Sequence, residues 1–187
     1  LGKTRDDAVG EAYDKVARAL GLPMPGGPHL EKAARAGEAG AFSFTAADLA
    51  PSFDFSYSGL KTAASQAKEK HPERVADIAA AFQSSAIAQL QRNVARALEE
   101  YSAGATAIRT LGVCGGVAAN GVLRAALQET AQAANVEFVA PDKILCTDNA
   151  AMIACAGAYR FFHRPAAERE YSVAALDFDT RSLLPVA

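Results

Sequence analysis

Tryptophan is missing from this chain, methionine occurs twice and cysteine three times, so the hydrophobic half of the composition is carried mainly by alanine, leucine and valine. The three cysteines, Cys114, Cys146 and Cys155, are odd in number and not paired at metal-binding spacing, which points to reduced thiols in a cytoplasmic protein. Neither sign of charge dominates: 19 Lys and Arg face 21 Asp and Glu, for a formal net charge of -2. A strong general affinity for nucleic-acid phosphates would need a basic surface, so only a local basic patch is open to that use. No secretory signal and no long uncharged apolar run is present, so the chain is expected neither to span a membrane nor to enter the secretory path. His29, His71 and His163 fall on different elements and form no zinc-protease signature. Lys61 follows Ser58-Gly59-Leu60, but the earlier glycine spacing of a Walker phosphate loop is absent.

What is present fits a packed domain. At 187 residues the chain can form one domain, or two small interlocked ones, with a sizeable core. It opens Leu1-Gly2-Lys3-Thr4, which reads as the middle of a connection, so it is expected to belong to a longer polypeptide. Thr4 and Asp7 predict a capping-box start to a first helix, with Ala8, Ala12, Val16 and Leu20 on its apolar face and Gly21 as its stop. The turn-rich Pro23-Met24-Pro25-Gly26-Gly27-Pro28 follows, then a short helix over 30–36. Residues 37–58 read as mostly irregular, apart from a strand at Phe53-Asp54-Phe55-Ser56-Tyr57 that Gly59 ends. A helix over 60–70 is broken at His71-Pro72. The longest helix runs over 73–101, with Ile78, Phe82, Ala86, Leu90, Val94 and Leu98 as one buried stripe. The period then changes: a strand over 111–114, a helix over 122–134 and a strand over 136–139 form a βαβ unit with parallel strands. A last helix covers 149–162, and 171–178 is read as an edge strand. The expected division is a mainly helical portion, 1–105, and an α/β portion, 106–187.

Two loops carry the strongest chemical signal: Gly115-Gly116-Val117-Ala118-Ala119-Asn120 and Cys146-Thr147-Asp148-Asn149-Ala150-Ala151-Met152-Ile153. Each follows an apolar run and opens a helix, which places it at the carboxyl ends of strands, where open α/β sheets bind ligands. Gly115 and Gly116 would let a ligand approach the backbone, and Asn120 either serves that ligand or caps its helix. Asp148 is open to the same pair of readings, as a helix cap or as a hard-oxygen group for a metal, ribose or base. Asp7, Glu11 and Asp14, spaced four and three apart, would share one helix face. That face is either solvated or turned towards something cationic or hydroxyl-bearing, with Lys15 and Arg18 easing the repulsion. Lys61, Lys68 and Lys70 are candidates for nucleic-acid contact, although a solvated helix face is the favoured account of them.

Six strings occur in a telling order: Asp6-Asp7-Ala8-Val9-Gly10-Glu11-Ala12-Tyr13-Asp14-Lys15, the Pro25-Gly26-Gly27-Pro28 turn, Phe55-Ser56-Tyr57-Ser58-Gly59-Leu60-Lys61-Thr62, Ala80-Ala81-Phe82-Gln83, and the two loops just described. Together they resemble the tRNA threonylcarbamoyladenosine transferase family (TsaD), once described as O-sialoglycoprotein endopeptidases, in its bacterial form and over nearly the whole chain. The resemblance implies an α/β fold: an RNase H-like lobe of the actin/Hsp70/sugar-kinase ATPase superfamily with a large helical portion. In such proteins two lobes enclose a nucleotide and a metal ion. The implied reaction moves a threonylcarbamoyl group from its adenylate to the exocyclic amine of the adenosine 3′ of the anticodon. By the same likeness Asp14 would hold ribose hydroxyls, and Gly27 and Glu31 would line the nucleotide site. Asn120 would contact the adenine end, with Gly115 and Gly116 giving it room, and Asp148 would be a ligand to one divalent metal ion, iron or zinc. The implied partners are threonylcarbamoyl-adenylate, tRNA, a paralogous TsaB-like subunit and an ATPase subunit, with no membrane.

The departures from the family pattern matter as much. Its two histidines four residues apart and its glycine-rich phosphate segment are not in this sequence and would belong to an upstream lobe. The N-terminal lobe is therefore expected to be missing, the metal site incomplete and the chain inactive alone. Uncovered strand edges and apolar helix faces would favour self-association. Met24 stands where an aromatic residue is common and reads as a tolerated apolar swap. The rival readings are an ATP-dependent kinase or ATPase of the same superfold, and a non-catalytic docking subunit of a tRNA-modification complex. A protease reading lacks both a zinc-binding histidine pair and a nucleophile constellation.

Overall fold

Helix α1 begins at Val9, not at Thr4, and runs Val9–Ala19 with Ala12, Tyr13, Val16 and Ala17 buried. The expected capping box does not form, because Thr4 is used elsewhere. Its backbone makes a parallel bridge to Phe55, and its hydroxyl donates to the Asp7 carbonyl at 2.6 Å. Asp7 therefore precedes the helix, and the expected carboxylate face of Asp7, Glu11 and Asp14 is split. Lys15 joins Asp7 and Glu11, whereas Asp14 faces the next helix. Gly21, at φ +75°, takes the left-handed conformation that ends α1.

In this computed structural model residues 1–102 and 107–163 are described. Helix α2 spans Gly26–Ala34, earlier than the expected 30–36. Proline is tolerated in a first turn, where its missing N–H costs nothing. The Pro25-Gly26-Gly27-Pro28 stretch is thus a helix start rather than a free turn. Between α2 and the next helix the chain is irregular, with a 3₁₀ turn at Ala39–Ala41. The expected strand at residues 53–57 is reduced to the single bridge at Phe55. Its carbonyls are taken by side chains instead: Asn93 Nδ2 donates to Phe53 and Asp54, and Gln89 Nε2 to Ser56 and Ala47. Arg96 reaches the Ser52 and Pro51 carbonyls in the same way.

Helix α3, Ser58–Lys70, starts two residues before the expected position, with Gly59 inside it. The Asp6 carboxylate explains the shift, accepting from the Tyr57 and Ser58 N–H groups and from Ser56 Oγ. Helix α4, Val75–Glu100, is the spine. Ile78, Phe82 and Ala86 pack with α1, α2 and α3 in the main core, while Ile87 joins Leu123 and Leu127 in a second cluster. Of the expected stripe, Leu98 is also buried, and Leu90 and Val94 pack partly buried against that second cluster.

The βαβ unit forms as expected in kind: β1 Thr110–Gly112, α5 Gly121–Ala133 and β2 Glu137–Val139. The strands pair in parallel with Leu111 opposite Phe138. The described residues are thus α/β, helices with a small parallel sheet. The first compact unit is Leu1–Thr147, and a second begins at Asp148 and contains α6, Ala150–His163. Residues 171–178, expected as an edge strand, lie outside the described residues. Among the described residues no helix is long and apolar enough to cross a membrane.

Carboxylates fasten these joints. Desolvation opposes ionisation of Asp6, but the bonds from Ser56, Tyr57, Asp7 and Ser58 outweigh it and hold its pKa at about 2. Asp7 is held low by Lys15 and Lys61, Asp54 by the Lys3 N–H and Arg5, and Asp77 by the Glu38 N–H and Arg74. A carboxyl whose folded pKa is depressed stabilises the fold above its unfolded value of about 4 and gives that up as pH falls towards the folded value. Melting followed by far-UV circular dichroism is therefore expected to drop between about pH 4 and pH 2. The drop should be shallower in Asp6→Asn and Asp7→Asn; an unchanged slope in both would contradict this account.

Candidate functional site

A cavity of about 460 Å³ opens in the first unit. One wall is α1 and the start of α2, through Tyr13, Asp14, Pro25, Gly27, Pro28 and Glu31. The opposite wall is the 3₁₀ turn Gly116–Ala119 with Asn120 at the start of α5. Five of the residues singled out in the sequence, Asp14, Gly27, Glu31, Gly116 and Asn120, therefore line one space although they are scattered over more than a hundred positions. Gly115 is not among the lining residues; its φ of +86° is a conformation that side chains resist, which explains glycine there without a ligand. Asp148 belongs to the second unit, where it is exposed. The capping expected of it falls to its neighbour, since Asn149 Oδ1 accepts from the Met152 N–H at 3.1 Å.

Two of the helix starts at the cavity, those of α2 and α5, are closed by side chains of the protein itself, whereas α1 at Val9 and the 3₁₀ turn at Gly116 have no side-chain cap. Asp14 Oδ1 accepts from the Gly26 N–H at 2.8 Å and the Gly27 N–H at 3.1 Å. These are two of the donors that a helix leaves without backbone partners. Asn120 Oδ1 does the same for α5, taking the N–H groups of Val122 and Leu123, each at 3.0 Å. Glu31 Oε1 accepts from the Gly121 N–H at 3.3 Å and from Arg35 at 2.7 Å, so α2 is tied across the cavity to α5. No Lys or Arg is among the lining residues. A phosphate would meet two carboxylates and no lining cation, with the capped donors of the α2 and α5 starts already in use. A base and a hydroxyl-bearing sugar meet apolar walls with acceptors at the edge, which suits them.

Sequence reasoning missed three supporting residues. Gln83, 6% exposed on α4, accepts from Asn120 Nδ2 at 2.9 Å through its Oε1. A polar residue among Ala79, Ala80, Ala81 and Phe82 on a buried helix face was the available signal, because a buried amide needs a partner. Tyr13, 2% exposed, stacks edge-on against Phe82 and carries a hydroxyl that no described protein group bonds. Burial, with Glu31 nearby, pushes its pKa up, so it stands as a neutral donor at the cavity wall. Arg124 pins the second wall by donating to the carbonyls of Ala118 and Pro141.

Other candidates do not join the site. Lys61 pairs with Asp7, and Lys68 donates to the Pro72 carbonyl. Among the described residues no three His, Cys, Asp or Glu side chains gather closely enough to hold a metal ion. Asp148 alone does not make a metal site.

The two glycines of α2 differ. A Cβ on Gly26 would lie 2.6 Å from Ala17 Cβ and 2.8 Å from Asp14 Cα, while one on Gly27 would meet nothing within 4 Å. Gly26→Ala is expected to cost about 1–3 kcal/mol through overpacking. Gly27→Ala should leave stability unchanged or raise it by up to about 1 kcal/mol through helix propensity. Denaturant melts of the two variants check this, and equal losses would refute it.

A family model described as TsaD, tRNA N6-adenosine threonylcarbamoyltransferase, matches residues 1–155. A protein of that name from Cereibacter sphaeroides is 48% identical over 171 residues, covering 86% of this chain and 47% of the relative. One from Bacillus cereus is 50% identical over 164 residues, covering 84% and 46%, and one from Halalkalibacterium halodurans 48% over 167, covering 86% and 47%. The chain thus spans about half the length of the curated relatives it matches. With a match over most of its length, the chain belongs to the TsaD family of tRNA N6-adenosine threonylcarbamoyltransferases.

Proposed function

We propose that the chain is part of a cytoplasmic tRNA-modifying transferase, and that its cavity holds the nucleoside end of threonylcarbamoyl-adenylate. The observation that carries this reading is the cavity's charge pattern: two carboxylates, self-capped starts of α2 and α5, and no lining cation. Asp14 Oδ1 is committed to α2, which leaves Oδ2 to accept from ribose hydroxyls. Gly27 and Gly116 give the sugar and base close approach, Glu31 closes the wall, and Asn120 meets the adenine. The phosphate and acyl groups would then project out of the cavity, towards tRNA and towards the rest of a longer polypeptide. A kinase-type reading would need cationic phosphate ligands, and the lining residues supply none.

In the reaction the exocyclic amine of the tRNA adenosine attacks the carbamoyl carbon. A carbon–nitrogen bond forms, the bond from that carbon to the phosphate oxygen breaks, AMP leaves with the electron pair, and the amine nitrogen loses a proton. The share of this chain is positioning: holding the nucleoside still fixes where the carbonyl faces. Asp148 would give one oxygen to a divalent iron or zinc ion, whose chemistry would be that of a Lewis acid. Its remaining ligands would have to come from outside the described residues. The chain would fold as an RNase H-like lobe of the actin/Hsp70/sugar-kinase superfamily. A paralogous TsaB-like subunit and an ATPase subunit complete the proposed assembly.

The test places this chain in a polypeptide of its relatives' full length, supplies threonylcarbamoyl-adenylate and tRNA, and follows modified adenosine by mass spectrometry. Asp14→Asn keeps an oxygen for the α2 start and removes the charge. It is expected to lower kcat/KM by about ten- to a hundredfold, the worth of a hydrogen bond to a charged group. Full activity in that variant would remove Asp14 from the site, and ATP hydrolysis without tRNA modification would favour the kinase-type reading.

A further inference from the structure

We propose that Gln83 is a positioning residue: it fixes the side-chain amide of Asn120 so that the cavity presents a hydrogen-bond donor, not an acceptor, to the base of its ligand. The inference rests on the nucleoside reading of the cavity. The geometry leaves little freedom. Two backbone N–H groups, of Val122 and Leu123, converge on one atom of the Asn120 amide at 3.0 Å each, and only an oxygen can accept them. The Asn120 nitrogen must therefore face the other way, where Gln83 lies at 2.9 Å. A nitrogen there needs an acceptor, so Gln83 turns its own oxygen inward. Both amides are oriented by this chain of bonds, which starts at the helix backbone.

An Asn Nδ2 carries two hydrogens. Gln83 takes one, and among the described residues no other group takes the second. Asn120 is only 6% exposed, yet it lines the cavity, so this second N–H is what the side chain has left to offer a ligand. A ring nitrogen of a purine, which accepts and carries no hydrogen, complements it. Without Gln83 the cap would hold the oxygen in place, but no bond would restrain the plane of the amide, and the free N–H would lose its aim. Gln83 sits on α4, the helix beneath both cavity walls, so the wall that carries Asn120 is also referenced to the main core.

Calorimetric titration with AMP tests this in the unsubstituted protein, Gln83→Leu, Gln83→Glu, Asn120→Ala and the double variant Gln83→Leu/Asn120→Ala. Gln83→Leu is expected to weaken binding by about five- to tenfold, one net hydrogen bond. Gln83→Glu, which keeps an Oε acceptor, should stay within about twofold of the unsubstituted protein. The double variant should bind no more weakly than Asn120→Ala, because the contribution of Gln83 passes through Asn120. Gln83→Leu binding at full strength would overturn the proposal, as would an equal loss in the Glu and Leu variants. A further loss in the Asn120→Ala background would mark Gln83 as packing only and overturn it too. Absence of AMP binding by the unsubstituted protein would sink both this inference and the reading beneath it, whereas normal binding with an indifferent Gln83 sinks the inference alone. Should Gln83→Leu fail to fold, hydrogen exchange of the Asn120 side-chain amide decides. One slow and one fast proton in the ligand-free protein supports the proposal, and two fast protons overturn it.

Discussion

One carboxylate oxygen sets the geometry of the cavity. Asp14 Oδ1 receives the first two N–H groups of α2, at 2.8 and 3.1 Å, and so docks the start of one helix onto the side of another. A negative charge at the positive end of a helix is stabilising by about 0.3–1 kcal/mol, more where water is excluded. The contact also explains why Gly26 has no side chain, since α1 occupies the place where one would go. With α2 held this close, Pro25, Pro28 and Glu31 form a wall together with Tyr13 of α1.

The facing wall obeys the same logic with different chemistry. A neutral amide, Asn120, closes the start of α5, and Arg124 holds the 3₁₀ turn before it through two carbonyls. Glu31 crosses between the walls. The starts of α2 and α5 are used internally, so their capped N–H groups are not free for a phosphate. Underneath, α4 offers apolar residues to two clusters and polar ones, Gln83, Gln89 and Asn93, to carbonyls and amides above it.

Much of this could be read in the sequence, for definable reasons. The long apolar period of α4 and the change of period into the βαβ unit are local signals, and both elements stand within a few residues of the reading. The family resemblance that the ordered motifs carry points to Asp14, Gly27, Glu31, Gly116 and Asn120, and these residues share one cavity. The helix starts were misread where a distant side chain decides them. Asp14 starts α2 from twelve positions away, and Asp6 starts α3 from about fifty. No window on the chain contains both partners. The strand expected at Phe53 failed similarly, because its alternation was local whereas the side chains that take its carbonyls lie some forty residues on. Gln83 stands in one of the motif strings yet drew no role, because one glutamine in an alanine-rich helix looks like a surface position until burial is known.

The bond from the Gly121 N–H to Glu31 joins positions 90 apart. At ordinary rates of synthesis the ribosome needs on the order of ten seconds to make that much chain. Throughout that interval the half built on Tyr13 and Pro28 has emerged without its counterpart, and its inner surface is turned to water. A small molecule that fits between the two halves can act only on the closed form, and it raises the population of that form by mass action.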